Sequence, residues 1–188
     1  MLLTQLDEDN VAVDTQIAIA LEARRRGDEM HAGHEVGVET VGDRGVVATR
    51  TVIDELHARD VERPTIRTVE PRPGGEAELR AIRAELDRNK VGGPGAQMDR
   101  QIIAEVMTSQ TASGATATIV VQDGRVVNGL ARMAGIRPDR LDGFRNVAEY
   151  LRHTRNTDRF EVAIAGRRLH VVPAQPVRKG PLRRTRRL

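Results

Sequence analysis

A short apolar stretch, a single aspartate and an apolar helix follow one another in residues 10–21, and this order constrains the fold more than any other feature. Residues 11–13 predict a buried strand that ends at Asp14, and the residues from Ile17 onward predict a helix. In an open α/β sheet, ligands bind at the carboxyl ends of the strands. A carboxylate between two buried elements is costly unless it is paired or holds a metal. Asp14 is therefore the first candidate site residue.

The composition favours an α/β fold. Aromatic residues make up only 2% of the 188 residues, so the core must be built from Val, Ile, Leu, Ala and Met, which suits a parallel sheet covered by helices. Strands and helices alternate along most of the chain, and a hairpin follows near its end. We therefore predict a parallel sheet flanked by helices in residues 1–138, a helix-plus-hairpin extension of the same domain in 139–176, and a basic tail in 177–188.

Several individual elements are predicted from local patterns. Residues 28–35 are polar and predict a loop. The alternation in 36–41, followed by a turn at 42–45 and a strand at 46–48, predicts either an edge hairpin or a second strand with a long approach. Residues 141–154 predict one helix. Residues 160–173 predict a β-hairpin appendage that turns at Gly166 and Arg167.

The charge is unevenly distributed. The net charge is +3, but residues 177–188 carry six basic residues and no acid, so the rest of the chain has a small excess of acids. The tail is compatible with a solvated end, with an RNA-backbone contact or with docking to an acidic partner. The sequence has no Cys, no signal-peptide pattern and no apolar run long enough for a membrane span. These features predict a cytoplasmic protein that has no membrane partner.

Three further acids occupy positions that could bring them to Asp14. Glu55 lies beside the apolar stripe of a predicted helix, Asp99 opens the helix after a Gly-rich loop, and Asp123 follows the apolar run 119–121. Two of them also have an ordinary structural explanation, since Asp99 could cap its helix and Asp123 could belong to a turn. Hard divalent cations prefer carboxylate oxygens, and two-metal nucleases use such clusters. The order of these acids therefore indicates a metal site for a phosphodiester.

These stretches resemble the PIN-domain nuclease family. The matching pieces are VAVDTQ at 11–16, VVA at 46–48 with VIDEL at 52–56, DRQIIA at 99–104, and ATATIVVQD at 115–123 followed by MAGI at 133–136. The resemblance covers residues 10–136. It implies a parallel sheet, an acidic pocket that binds Mg²⁺ or Mn²⁺, and hydrolysis of RNA by a toxin or a processing enzyme. The chain departs from the family pattern at Gln16 and Val121.

The chemistry assigns each candidate a role. The predicted metal ligands are Asp14, Asp99 and Asp123, and Glu55 is predicted to bind metal through water or to position the attacking water; the predicted substrate contacts are Thr15, Arg50, Arg100 and Arg125. Thr15 is expected to contact either Asp14 or the scissile phosphate.

The expected partners are RNA and an inhibitor protein, either an antitoxin or an immunity protein, with a homodimer as a further option. An Asp14→Asn variant is expected to lose cleavage while keeping its fold. The alternative is a non-catalytic nucleic-acid-binding or scaffold protein with a degenerate site of this kind, which the residues at Gln16 and Val121 favour.

Overall fold

The computed structural model describes residues 10–30, 32–109 and 114–178, and its strands form one six-stranded sheet. The strands are β1 (Asn10–Val13), β2 (Gly45–Thr49), β3 (Arg67–Val69), β4 (Ala117–Val121), β5 (Phe160–Ile164) and β6 (Arg167–Pro173). The helices are α1 (Thr15–Arg26), α2 (Ala32–Val41), α3 (Arg50–Ala58), α4 (Glu76–Arg88), α5 (Gln97–Thr108), α6 (Gly124–Met133) and α7 (Val147–Tyr150). Residues 1–9, 31 and 110–113 and the predicted basic tail from 179 onward lie outside the described residues.

The sheet is mostly parallel, as predicted. Its strand order is β3-β2-β1-β4-β6-β5, and the strands from β3 to β6 in this order run parallel to one another. The central position of β1 follows from its sequence, because Val11, Ala12 and Val13 are all buried and pair on both sides with equally apolar strands. The carboxyl ends of the parallel strands therefore lie at one edge of the sheet, which we call the carboxyl edge.

The antiparallel pair at the end of the chain is consistent with the predicted hairpin, although its role differs. The turn falls at Ala165 and Gly166, with φ of 48° and 76°, one residue earlier than expected. Two successive positive φ angles are typical of the tight turns that join such strands. β6 also pairs in parallel with β4, from Ala117↔Leu169 to Val121↔Pro173. The predicted appendage is therefore part of the main sheet.

Residues 32–41 do not follow the prediction of a loop and then an extended segment, whereas residues 28–30 form a loop as predicted. The alternation in 36–41 suggested an edge strand, but the chain forms α2 there. Val38 and Val41, which are also three residues apart, are buried on one face of this helix. A Cβ added to Gly37 would lie only 2.9 Å from Ile17 Cγ1, so the missing side chain allows α2 to pack closely against α1.

The helix predicted for 141–154 is much shorter in the structure. Asn146 caps α7 by accepting a hydrogen bond from the Glu149 backbone N–H at 2.8 Å. A π-helical turn over Leu151–Arg155 follows α7 and ends at Asn156, which has a φ of 49°. A strong internal cap thus begins the helix six residues later than the apolar pattern indicates.

The core is aliphatic, as the composition requires. All five residues of β4 are buried, and the largest fully buried side chains are Ile and Leu. Among the described residues, no helix combines the length and apolar character needed to cross a bilayer.

Candidate functional site

Four of the predicted acids come together at the carboxyl edge. Asp14 follows β1 directly, and Asp123 is separated from β4 by one residue. Asp99 enters from the first turn of α5, and Glu55 enters from the middle of α3. The charge of Asp99 acts on Asp14, and the charges of Asp123 and Glu55 act on Asp99. We call these four residues the acid cluster.

Asp14 is buried and held by backbone groups on two sides. Its carboxylate accepts hydrogen bonds from the N–H of Ile17 at 2.9 Å and of Gln122 at 2.6 Å, and also from the N–H of Asp123. Burial raises its pKa from 3.8 to about 6 against the opposing effect of these hydrogen bonds, and the charge of Asp99 raises it further. Asp14 therefore caps α1 and also ties β1 to the end of β4.

These contacts correct the expectation that Asp14→Asn would leave the fold intact. An asparagine oxygen could still accept from Ile17, but its NH₂ group would then face the N–H of Gln122. Two donors facing each other leave a partly buried donor unsatisfied, which costs about 1–3 kcal/mol. Loss of activity in that variant would not separate chemistry from folding.

Asp99 lies at the centre of the electrostatic cluster. Burial raises its pKa, and the charges of Asp123 and Glu55 raise it further, while Arg100 acts in the opposite direction. The N-cap of α5 is Ala96, which has no side-chain cap hydrogen bond among the described residues, and the Asp99 carboxylate accepts a hydrogen bond only from its own backbone N–H. It is the acid whose position is explained least by local structure.

Glu55 is oriented by Thr15. The Thr15 hydroxyl donates a hydrogen bond to Glu55 Oε2, which connects the start of α1 with the middle of α3. Glu55 is half-buried, whereas its neighbour Asp54 points to solvent. The Thr15 hydroxyl thus contacts Glu55 and not Asp14.

Asp123 has a structural contact through one oxygen. Its Oδ1 accepts hydrogen bonds from the N–H of Arg125 at 2.7 Å and of Val126 at 3.3 Å, which caps α6. Its charge nevertheless reaches Asp99. Asp123 therefore caps a helix and contributes to the acid cluster.

The three predicted phosphate-binding arginines differ in their surroundings. Arg50 and Arg125 are exposed, and Arg50 also pairs with Glu70 at 3.5 Å. Arg100 is buried, and its guanidinium donates to the carbonyls of Val91 at 2.9 Å and Gly93 at 2.6 Å and to Asp87 at 3.0 Å. Arg100 therefore fixes the loop before α5, and its guanidinium is occupied by these three acceptors.

The donor type fits a hard divalent cation, although the spacing is loose. None of the four acids takes part in an ion pair within the part of the chain that the structure describes. Over the same residues, no three His, Asp or Glu side chains are grouped closely enough to hold one ion. Mg²⁺ is commonly held by one or two carboxylates, with water in its other positions. Asp99 and the second oxygen of Asp123 are the groups best suited to this.

The sequence analysis missed Gln122. Its backbone N–H binds Asp14, and its side-chain Nε2 donates to the carbonyl of Gly33 at 2.5 Å. Its Oε1 is buried without a hydrogen-bond partner among the described groups and lies 2.6 Å from where a Gly37 Cβ would stand. Gly37, in the middle of α2, was the available signal of this close approach.

The comparisons with known proteins give no family assignment. No protein-family model matches the sequence, and searches of curated proteins and of solved structures gave no significant match. The fold and the acid cluster are therefore the basis for assigning a function.

Proposed function

We propose that this protein is a metal-dependent ribonuclease of the PIN type. It would use Mg²⁺ or Mn²⁺ to hydrolyse RNA phosphodiester bonds, as a toxin or as a processing enzyme. The observation that supports this most is the electrostatic coupling of Asp14, Glu55, Asp99 and Asp123 at one edge of the sheet. These residues come from four separate parts of the chain, so the tertiary structure brings them near one another.

The energetics of the acid cluster support a cationic ligand. Both Asp14 and Asp99 have raised pKa values because burial and neighbouring negative charges disfavour their ionised forms. Such an arrangement lowers the stability of the ion-free protein at neutral pH. Neighbouring carboxylates with perturbed pKa values are typical of functional sites. A divalent cation would offset this repulsion.

The residues of the acid cluster and its surroundings would have different roles in binding the cation and in hydrolysing RNA. Asp99 and Asp123 would hold the cation, and Asp14 would fix the positions of both neighbouring elements through its backbone contacts. When bound, the cation supplies charge neutralisation at the phosphate and lowers the pKa of bound water. Glu55, oriented by Thr15, would accept a hydrogen bond from the attacking water. Arg50 and Arg125 are exposed cations that would contact the RNA backbone.

The second candidate function is a non-catalytic nucleic-acid-binding or scaffold protein. The loose spacing of the acids within the described residues and the double structural use of Asp14 favour it. In this case the acid cluster would bind no Mn²⁺ at millimolar concentrations of the ion. The two functions differ in one measurable property, which is the affinity for Mn²⁺.

The test uses Asp99→Asn, because Asp99 is the acid with the fewest structural contacts. Cleavage of a labelled single-stranded RNA is followed with Mn²⁺, with Mg²⁺ and with EDTA, and Mn²⁺ binding is measured by electron paramagnetic resonance. Mutation of a residue that hydrogen-bonds to a metal ligand typically lowers activity about 10–100-fold. Loss of a direct ligand should therefore lower activity about 100-fold or more. Asp54→Asn, a matched change on the exposed neighbour of Glu55, should leave cleavage unchanged.

Two results would decide against the nuclease. Cleavage that is unaffected by Asp99→Asn would show that a different site or a contaminant is responsible. Absence of both cleavage and Mn²⁺ binding in the wild-type protein would favour the scaffold.

A further inference from the structure

We propose that Thr15 is a positioning residue, which holds Glu55 in the acid cluster through its hydroxyl group and makes no contact with the RNA. This inference rests on the proposed nuclease function and assigns a residue role within it. It starts from the hydrogen bond that the Thr15 hydroxyl donates to Glu55 Oε2, between residues 40 positions apart in the chain.

The position of Thr15 explains why it is suited to this role. Thr15 is the first residue of α1 and follows Asp14 directly, so its backbone is fixed by the hydrogen bonds of Asp14 to Ile17 and Gln122. Thr15 is half-buried, and β-branched side chains have few rotamers. The hydroxyl is therefore a donor with few rotamers, and its backbone is held in place beside Asp14 at the carboxyl edge.

Glu55 needs such a donor. It has three rotatable side-chain bonds and lies on a half-buried position of α3, where the negative charge of Asp99 repels it. Without a donor, the carboxylate would turn toward solvent, where both hydration and distance from Asp99 favour it. The hydrogen bond from Thr15 opposes that movement and keeps Glu55 next to Asp99.

The same hydrogen bond argues against a direct contact to phosphate. A threonine hydroxyl has a single proton, and here that proton is donated to Glu55. A phosphate oxygen is an acceptor, so Thr15 could bind phosphate only by releasing Glu55. The two roles are mutually exclusive, and their kinetic consequences differ. Loss of a phosphate contact raises KM, whereas loss of a positioned Glu55 lowers kcat.

Three variants of the full chain separate these effects. Thr15→Val removes the hydroxyl at nearly constant shape, and Thr15→Ser keeps it. Thr65→Val is a matched control, because Thr65 also donates its hydroxyl to a glutamate, Glu22, at 2.9 Å, but outside the acid cluster. Glu22 retains hydrogen bonds from the N–H groups of Thr65 and Ile66, so this control should fold.

The first measurement needs no activity. Urea unfolding of Thr15→Val, Glu55→Ala and the double variant tests whether the two side chains interact, since interacting residues give non-additive changes. Non-additive changes are expected. Additive changes would overturn the inference, because Thr15 and Glu55 would then not be coupled in solution.

The second measurement addresses the role in the site. Thr15→Val should weaken Mn²⁺ binding about tenfold and lower kcat about 10–100-fold, with KM for RNA changed less than about threefold. Thr15→Ser should restore kcat to within about threefold of the wild type, and Thr65→Val should match the wild type. A raised KM at unchanged kcat in Thr15→Val would overturn the inference in favour of a phosphate contact. If the wild-type protein neither cleaves RNA nor binds Mn²⁺, the proposed function fails and this inference fails with it.

Discussion

The buried carboxyl group of Asp14 predicts an unusual dependence of stability on pH. Its pKa is raised from 3.8 to about 6 in the folded protein, chiefly by burial, so the folded state keeps a proton that the unfolded state releases. Stability therefore falls as the pH rises from about 4 to about 6 and then levels off, in the absence of divalent cations. This is opposite to the behaviour of a carboxylate that is stabilised by an ion pair.

The magnitude follows from the shift in pKa. A shift from 3.8 to about 6 corresponds to about 3 kcal/mol, of which about 2 kcal/mol falls between about pH 4 and pH 7. Asp14 is only 6% exposed, so solvent screening removes little of this energy.

The assay is urea unfolding in EDTA at a series of pH values, for the wild type and for Asp14→Asn. Other groups titrate in both proteins. The informative quantity is therefore the free energy of unfolding of the wild type minus that of Asp14→Asn at each pH. That difference should fall by about 2 kcal/mol from about pH 4 to pH 7. A constant difference for Asp14→Asn, or one that rises with pH, would refute the argument that burial dominates at this carboxylate.

Four further predictions concern packing and buried charges. Gly37→Ala should lower the free energy of unfolding by about 1–3 kcal/mol, because the new Cβ would stand 2.6 Å from Gln122 Oε1. Gly33→Ala, in the same helix but 3.8 Å from its nearest neighbour, should be neutral or slightly stabilising by thermal melting. Glu149→Gln should cost about 1–3 kcal/mol at pH 7, because the two carboxylate oxygens accept from the backbone N–H groups of Arg145 and Arg178 and an amide can accept from only one of them. The cost should be smaller as the pH falls through the lowered pKa of this buried carboxylate, which urea unfolding at two pH values tests. Arg100→Met should destabilise by about 3 kcal/mol in urea, because three buried or partly buried acceptors lose their donor; an effect below about 0.5 kcal/mol would contradict this.

The sequence was informative where local and long-range requirements agree. The strand at β1 and the helix α1 have clear apolar patterns, and Gly27 ends α1 with a φ of 76°, as expected for a helix C-terminus. The central position of β4 followed from its continuous apolar run, and the parallel arrangement followed from alternation with helices. Because parallel strands bring their carboxyl ends together, the meeting of Asp14 and Asp123 was predictable as well.

The sequence was less informative where tertiary contacts decide the local structure. The β-branched residues of 36–41 favoured a strand, but Gly37 allows a helix to pack on Ile17, and burial of Val38 and Val41 decides in favour of α2. The partners of side chains were also not predictable. Nothing in the spacing indicated that Thr15 would bind Glu55 or that Arg100 would be turned inward.

The two outer strands of the sheet have a consequence for self-assembly. β3 is only three residues long, and the guanidinium of its first residue, Arg67, donates to Asn10 at 2.7 Å. On β5, Glu161 and Ala163 are the exposed positions, so a charge lies in the middle of that border. Short or charged borders resist the addition of a strand from another molecule. Copies of this protein should therefore not extend one another's sheets into filaments.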